Sequence, residues 1–246
     1  MAKVHIFMDN SNLFISARRV CSFFERYCMQ YKVRLHFQNL MELAACGREI
    51  AQSVAVGSTT FKDNNVWNSM ADNGIYMETF ERGAYSGSEQ AVDQTLQLAM
   101  YRSLCNYRPE TVCLLTGDGE GFERGEGFLM TLHDMYKGGW GIEVLAWEHT
   151  CNHELKNFAT RFGVFIPLED YYDSVTYTEN SRYVSPLAIK NRPVAVPVEE
   201  ESVNTRYWVP SRRIEHRSFM SRQKALETNS NRPIVKNYPR KILTKR

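Results

Sequence analysis

Short apolar runs alternate with stretches of helical apolar spacing, and this alternation constrains the fold more than any other feature of the sequence. The apolar runs are Val4–Met8, Ser53–Val56, Ile75–Phe80, Val112–Thr116, Ile142–Trp147 and Val164–Ile166. The helix-like stretches are Leu13–Tyr27, Asn39–Cys46, Lys62–Asp72, Gln90–Cys105, Gly127–Lys137 and His153–Thr160. Strands that are apolar throughout and alternate with helices belong to parallel sheets covered on both faces. The pattern therefore predicts an α/β fold, a three-layer α/β/α sandwich with a mostly parallel central sheet.

The formal net charge of +2 conceals a division between an acidic body and a basic tail. Residues 190–246 contain 14 Lys and Arg against 5 acidic residues, which leaves residues 1–189 with a net charge of −7. Five of the eight prolines lie in the tail, and it contains no glycine or cysteine. This composition is typical of a disordered or loosely docked segment. We predict one domain over residues 1–189 and an irregular basic tail over residues 190–246.

Composition also argues against secreted and membrane proteins. The N-terminal apolar run is too short for a secretory signal, and Asp9 interrupts it. No window offers the roughly 18 apolar residues that a membrane helix requires. The six cysteines lack CxxC spacing, which favours free thiols in a reducing compartment. We therefore expect a cytoplasmic protein without a membrane partner, with the nucleus as the alternative.

Polar side chains follow three of the predicted strands at the point where each strand ends. Asp9 and Asn12 follow the first strand, Asp118 and Glu120 follow the strand Val112–Thr116, and Asp93 lies early in a helix after another strand. The carboxyl ends of parallel strands converge where ligands bind. Carboxylates held close together favour a hard divalent cation such as Mg²⁺, which suits phosphodiester hydrolysis.

Each of these acids also has a purely structural interpretation. Asp9 can cap the following helix, Asp118 can belong to an ordinary turn, and Asp93 can stabilise the start of a helix through the helix dipole. Their joint position at strand ends favours the metal site over three separate structural roles.

Four segments in sequence order resemble the NYN domain, a branch of the PIN-like nuclease superfamily, over roughly the first 175 residues. VHIFMDNSNLF is similar to the opening strand of that family with its D-x-x-N signature. AVDQTLQLA resembles the K-G-V-D helix, and LLTGDGEGF resembles the S-G-D-x-D-F segment. GGWGIEVLAW with ELKNFATRFGVFIPLEDYY resembles the closing strand, helix and L-E-D end.

The resemblance implies a PIN-like (Rossmann-like) fold and a ribonuclease that depends on Mg²⁺ or Mn²⁺. Its implied metal ligands are Asp9, Asp93 and Asp118; Glu120 would assist the attacking water, and Asn12 and Thr116 would orient carboxylates or water.

Three positions depart from the family pattern. Gln90 stands where a basic residue is usual, Ala99 replaces a second acid, and Glu120 stands in place of an aspartate. These departures leave an alternative function open, namely a catalytically degenerate NYN-fold adaptor that binds RNA or protein.

Several basic residues are candidates for phosphate contacts with single-stranded or structured RNA. They are Arg18, Arg19, Arg82, Arg124, Arg212 and Arg213. The last two end the tail segment RYWVPSRR, in which aromatic and basic side chains alternate as in proteins that hold single strands. We expect the tail to capture RNA, with a nuclear-localisation signal or a docking peptide for a protein partner as alternatives. The sequence leaves a homo-oligomer open.

Overall fold

A computed structural model describes residues 3–25, 30–59, 75–81, 87–120, 127–181 and 183–198 of the 246-residue chain. The chain divides into two units, Met1–Trp208 and Val209–Arg246, and every described residue belongs to the first. The predicted helix Lys62–Asp72 lies outside the described residues. Among those described, no helix is long and apolar enough to cross a bilayer.

A six-stranded sheet forms the centre of the described part, in the order β4-β3-β1-β5-β6-β7. All neighbouring strands in it are parallel. Its strands are β1 (Val4–Asp9), β3 (Ile50–Thr59), β4 (Tyr76–Glu81), β5 (Thr111–Leu115), β6 (Gly141–Ala146) and β7 (Val164–Pro167). The predicted parallel sheet is confirmed, and each strand begins and ends within a few residues of its predicted apolar run.

Helices cover both faces of this sheet. They are α1 (Asn10–Phe24), α2 (Phe37–Ala45), α3 (Gly87–Asn106), α4 (Gly127–Lys137), α5 (His153–Phe162) and the short α6 (Tyr172–Val175). Buried side chains of α1, α2 and α6 form one apolar cluster with alternate residues of the strands. Those of α3, α4 and α5 form a second cluster with the remaining alternate residues. Because successive side chains of a strand point to opposite faces, these two clusters lie on opposite sides of the sheet, and the three-layer architecture is confirmed.

A second, two-stranded sheet was not predicted. Strand β2 (Val33–Leu35) pairs antiparallel with β8 (Thr176–Thr178), which follows α6. Each strand has only three residues, too few for a recognisable alternation of apolar and polar positions. Short 3₁₀ helices at Glu148–Thr150 and Leu168–Tyr171 follow β6 and β7.

The first residues after the predicted domain boundary pack against the body. Arg192 is 6% exposed and donates from Nη2 to Oε2 of the fully buried Glu143 at 2.7 Å. The backbone N–H of Ala195 donates to the other oxygen of that carboxylate at 2.8 Å, and Val198 N–H donates to Gly139 O at 2.8 Å. The boundary at residue 189 stays a prediction, but residues 192–198 are held by the sheet rather than extending away from it.

Candidate functional site

Asp9 occupies the centre of the carboxyl edge of the sheet. It is the last residue of β1, which lies between β3 and β5, and it is 4% exposed. Its Oδ1 accepts the backbone N–H of Asn12 at 2.9 Å and thereby caps α1, while its Oδ2 accepts the hydroxyl of Thr116 at 3.3 Å. Both oxygens of one buried carboxylate are therefore fixed in place by neighbouring elements.

The loop that follows β5 brings the other predicted residues to Asp9. Oδ1 of Asn12 accepts the backbone N–H of Gly117 at 2.9 Å, which ties the loop to the first turn of α1. The Thr116 hydroxyl accepts the backbone N–H of Asp118 at 3.2 Å, and Oδ1 of Asp118 accepts the backbone N–H of Glu120 at 2.9 Å. The structure thus connects Asp9, Asn12, Thr116 and Asp118 in one hydrogen-bonded network, with the exposed Glu120 at its end.

Asn152 supports this loop and was not singled out from the sequence. Its backbone N–H donates to Gly117 O at 2.8 Å, and its Oδ1 caps α5 by accepting the N–H groups of Glu154 and Leu155 at 2.9 and 3.2 Å. A Cβ at Gly119 would lie 2.6 Å from Cγ of Asn152, so only glycine allows this approach. An asparagine directly before a helical pattern signals a cap, but its contact with the loop after β5 depends on packing between distant segments.

Burial and a second carboxylate raise the pKa of Asp9 from 3.8 to about 6. Removal from water is the largest cause, and the charge of Asp118 raises the pKa further. The hydrogen bonds from Asn12 and Thr116 act in the opposite direction because they stabilise the ionised form. The site therefore holds two acids whose charges repel each other in a partly dehydrated position.

This pKa predicts how the metal-free protein responds to pH. Because folding raises the pKa of Asp9, ionisation of this group opposes folding, and its cost increases as pH rises from 3.8 to about 6. In the presence of a chelator, we expect Asp9→Asn to stabilise the protein at pH 8 by about 3 kcal/mol. Chemical denaturation at pH 8 and pH 4 measures the effect, and equal stabilisation at both pH values would contradict it.

Asp93 lies on a helix, apart in sequence from both Asp9 and the loop after β5. It lies in the second turn of α3 and is half-buried. Since α3 follows the parallel strand β4, the helix starts at the same carboxyl edge. Within the described residues, however, no three His, Cys, Asp or Glu side chains form a group that could hold a metal ion. The structure brings Asp118 to Asp9, and the assignment of Asp93 as a third ligand stays a prediction.

Two of the three departures from the family pattern, Gln90 and Ala99, lie on α3. Ala99 is 9% exposed and packs in the second apolar cluster with Leu96 and Met100, so this position faces the core. It lies six residues, or about 9 Å along the helix, beyond Asp93. The side chain of Gln90 lies outside the described residues.

The six arginines that were predicted to contact phosphate differ in their surroundings. Nε of Arg18 donates to Gln30 O at 3.0 Å, and its guanidinium lies 4.9 Å from the centroid of the Tyr31 ring. Arg18 therefore holds the segment after α1, whereas Arg19 is exposed. The other four candidates, Arg82, Arg124, Arg212 and Arg213, lie outside the described residues.

The residues at the edge fit a hard divalent cation. Mg²⁺ and Mn²⁺ prefer oxygen ligands, and Mg²⁺ is usually bound through one or two protein carboxylates with water and substrate phosphate as its other ligands. Asp9 and Asp118 would supply two carboxylates, and a bound cation would offset their repulsion, which adds to the effect of burial on the pKa of Asp9.

Comparisons with known proteins bear on the family of this chain. The family model described as the NYN domain matches residues 3–168. A solved structure, a protein of unknown function (VPA0982) from Vibrio parahaemolyticus RIMD 2210633, is similar over 69% of this chain and 94% of its own, with 14% identity and a TM-score of 0.48. The comparison with curated proteins found no match. Because the family model spans more than half of the 246 residues, the chain belongs to the NYN domain family, a family of PIN-like nucleases.

Proposed function

We propose that the chain is a ribonuclease that hydrolyses RNA phosphodiester bonds with Mg²⁺ or Mn²⁺ bound at Asp9 and Asp118. Membership of a nuclease family supports the reaction class. The observation that carries the proposal is the link between two acids at the carboxyl edge: the Thr116 hydroxyl donates to the Asp9 carboxylate and accepts the backbone N–H of Asp118.

A comparison of the two helix caps argues against a purely structural role for Asp9. The Oδ1 of Asn152 caps α5 without a charge, and it accepts two backbone N–H groups. Asp9 caps α1 as a buried acid beside Asp118, although a neutral cap would avoid the cost of burying a charge. An acid kept where an amide would suffice for stability points to a functional need for the charge.

Each residue of the network has a distinct role in this proposal. Asp9 and Asp118 would hold the cation, which would lower the pKa of an attacking water and offset the charge of phosphate oxygens. Asn12 and Thr116 orient the carboxylates, since they bond to the loop and to Asp9 itself. Glu120 is exposed at the end of the network, where its carboxylate can accept a proton from an attacking water.

Incubation of labelled single-stranded RNA with the full chain tests the proposal. We expect cleavage with Mg²⁺ or Mn²⁺ and none with a chelator. RNA that stays intact with either metal, under conditions in which the protein is folded, would contradict the proposal.

The second candidate is a catalytically degenerate NYN-fold adaptor that binds RNA or protein. One observation favours it: Ala99 faces the core at a position where the family often has an acid. Binding of RNA that is independent of metal and is not followed by cleavage would support the adaptor over the enzyme.

We also propose that the basic tail captures RNA. The contacts of the first tail residues determine where the chain should be truncated to test this proposal. Removal of everything after Ile189 would take Arg192 away from the buried Glu143 and would confuse lost stability with lost binding. A chain ending at Val198 keeps that contact and removes 12 Lys and Arg against 5 acidic residues.

We expect the chain ending at Val198 to bind RNA more weakly than the full chain and with a smaller salt dependence, because released counterions drive such binding. Fluorescence anisotropy over a salt series measures both quantities. The full chain with Arg212→Ala and Arg213→Ala should show a smaller change in the same direction. An unchanged affinity and salt slope in the shortened chain would contradict RNA capture by the tail.

A further inference from the structure

The exposed side of α1 presents a stripe that starts beside the proposed metal site. Ile15, Arg19 and Phe23 are spaced four residues apart, so they lie on one side of the helix. Ile15 is 36% exposed, Phe23 is 65% exposed, and Arg19 is also exposed. From Asn12 in the site network to Phe23, the helix rises about 16 Å, which is the length of a few nucleotides.

A pair of stacked rings lies at the far end of this stripe. The ring of Phe23 stacks on that of His149, with centroids 4.6 Å apart and an angle of 27° between the ring planes. Oε1 of Glu169 lies 3.1 Å from both the backbone nitrogen and Nδ1 of His149, so the imidazole is held in place. The His149 side chain is nevertheless 55% exposed. The pair is therefore a fixed aromatic surface that is open to solvent.

The segment that carries His149 also contacts the site loop. Gly117 packs against the backbone of Thr150 and Cys151, since a Cβ on it would lie 3.6 Å from Thr150 O and 3.2 Å from Cys151 Cα. The stripe thus begins one turn after Asn12, which bonds to the loop after β5, and ends on a segment that touches the same loop.

We propose that this stripe binds single-stranded RNA and leads it toward Asp9 and Asp118, with Arg19 on a backbone phosphate and the Phe23–His149 pair stacked on a base. This inference rests on the proposed ribonuclease function. Flat aromatic surfaces stack on bases, and a nearby cation attracts the phosphate backbone.

The composition of the stripe favours RNA over a protein occupant. An exposed apolar stripe that binds a protein helix is continuous, whereas here Arg19 separates Ile15 from Phe23. The exposed Ser22 adds a further polar group beside Phe23. A cation next to an exposed pair of stacked rings is a combination that binds single strands.

Arg18 and Arg19 are adjacent in sequence but differ in their expected contribution. Arg18 contacts Gln30 and Tyr31, and its substitution would disturb the segment after α1. Arg19 therefore provides the better test of the proposed phosphate contact.

The test measures binding of a short fluorescent single-stranded RNA to the full chain in the presence of a chelator, so that cleavage does not interfere. Loss of a stacking residue typically weakens single-strand binding by about 5- to 100-fold, and we expect this for Phe23→Ala. Phe23→Trp should retain binding because it keeps a stacking face. Arg19→Ala should weaken binding and lower the slope of log K against log salt by about one.

Two matched substitutions serve as controls. Tyr76 is 66% exposed, nearly the same as Phe23. It begins β4, the outermost strand on the side of the sheet away from β6 and β7. Arg102 is exposed in the second half of α3. Tyr76→Ala and Arg102→Ala should bind single-stranded RNA as the unmodified chain does, and thermal unfolding verifies that every variant is folded.

The outcomes separate this inference from the proposed function. If the unmodified chain cleaves RNA while Phe23→Ala and Arg19→Ala bind it as tightly as the controls do, the stripe is not the RNA path and the ribonuclease proposal stands. If the unmodified chain neither binds nor cleaves RNA, both proposals fail. If the stripe variants lose binding while Tyr76→Ala and Arg102→Ala keep it, the stripe is supported.

Discussion

Replacement of Asp118 by Asn is expected to lower RNA cleavage with Mn²⁺ by about 100-fold or more, because a metal ion supplies several kcal/mol of transition-state stabilisation. The amide keeps an oxygen that can accept the backbone N–H of Glu120, so the loop after β5 is preserved. Asp9→Asn should have an effect of similar size and should keep the cap on α1. Initial rates of cleavage at saturating metal and RNA measure both effects.

A matched control shows whether loss of activity is specific to the acids at the carboxyl edge of the sheet. Asp173 is an exposed acid on α6, and Asp173→Asn should cleave RNA at the rate of the unmodified chain. If both Asp9→Asn and Asp118→Asn still cleave RNA, this would contradict the proposed metal site, even if the protein binds RNA.

Asp93→Asn tests the prediction that Asp93 is a third metal ligand. A decrease as large as that of Asp118→Asn would make Asp93 a ligand or a direct partner of the metal. Cleavage close to that of Asp173→Asn would restrict the proposed ligands to Asp9 and Asp118, the two acids that the structure brings together.

The architecture could be predicted from the sequence because the central strands are mostly apolar. All six residues of β1 are buried, as are all six of β6, and such runs between helical patterns have few alternatives to a covered parallel sheet. Helix ends were predicted less well. The first helix ends at Phe24 rather than Tyr27, and it begins at Asn10 because Asp9 caps it.

The candidate site could be predicted in its residues but not in its contacts. Asp9 and Asp118 are recognisable because each follows a strand, whereas the link through Thr116 depends on the register of β1 against β5. Asn152 was missed since its contact with the loop joins segments more than 30 residues apart. Contacts of this kind are set by packing between elements, and no local pattern in the sequence encodes them.

A buried charge inside a predicted apolar strand was also missed. Glu143 lies in β6 with no exposed surface, and its carboxylate accepts two bonds from Arg48, at 2.7 and 2.9 Å, and one from Arg192 at 2.7 Å. Arg48 is held in turn by the carbonyl oxygens of Ala44 and Ala45 at the end of α2. The partners are far from Glu143 in sequence, so the strand itself gives no sign of them.

Glu143→Ala is expected to destabilise the protein by about 3–5 kcal/mol, because removal of one partner leaves buried charges without compensation. Two arginine side chains and the Ala195 N–H would lose their acceptor together. Urea denaturation measures the free energy of unfolding. Glu49→Ala provides the contrast, because Glu49 pairs with Lys3 at an exposed position and its loss should cost less than about 1 kcal/mol.

Arginine substitutions show whether the Glu143 network stabilises the whole domain or only the segment after Ile189. In Arg48→Met, the end of α2 loses its link to the sheet, so global stability should fall about as much as in Glu143→Ala. In Arg192→Met, residues 192–198 can detach into water and leave Glu143 paired with Arg48. The loss of stability should therefore be smaller, and hydrogen exchange at Ala195 and Val198 should increase instead. Equal losses of global stability in the two variants would contradict local detachment and would make the first part of the tail an integral part of the domain.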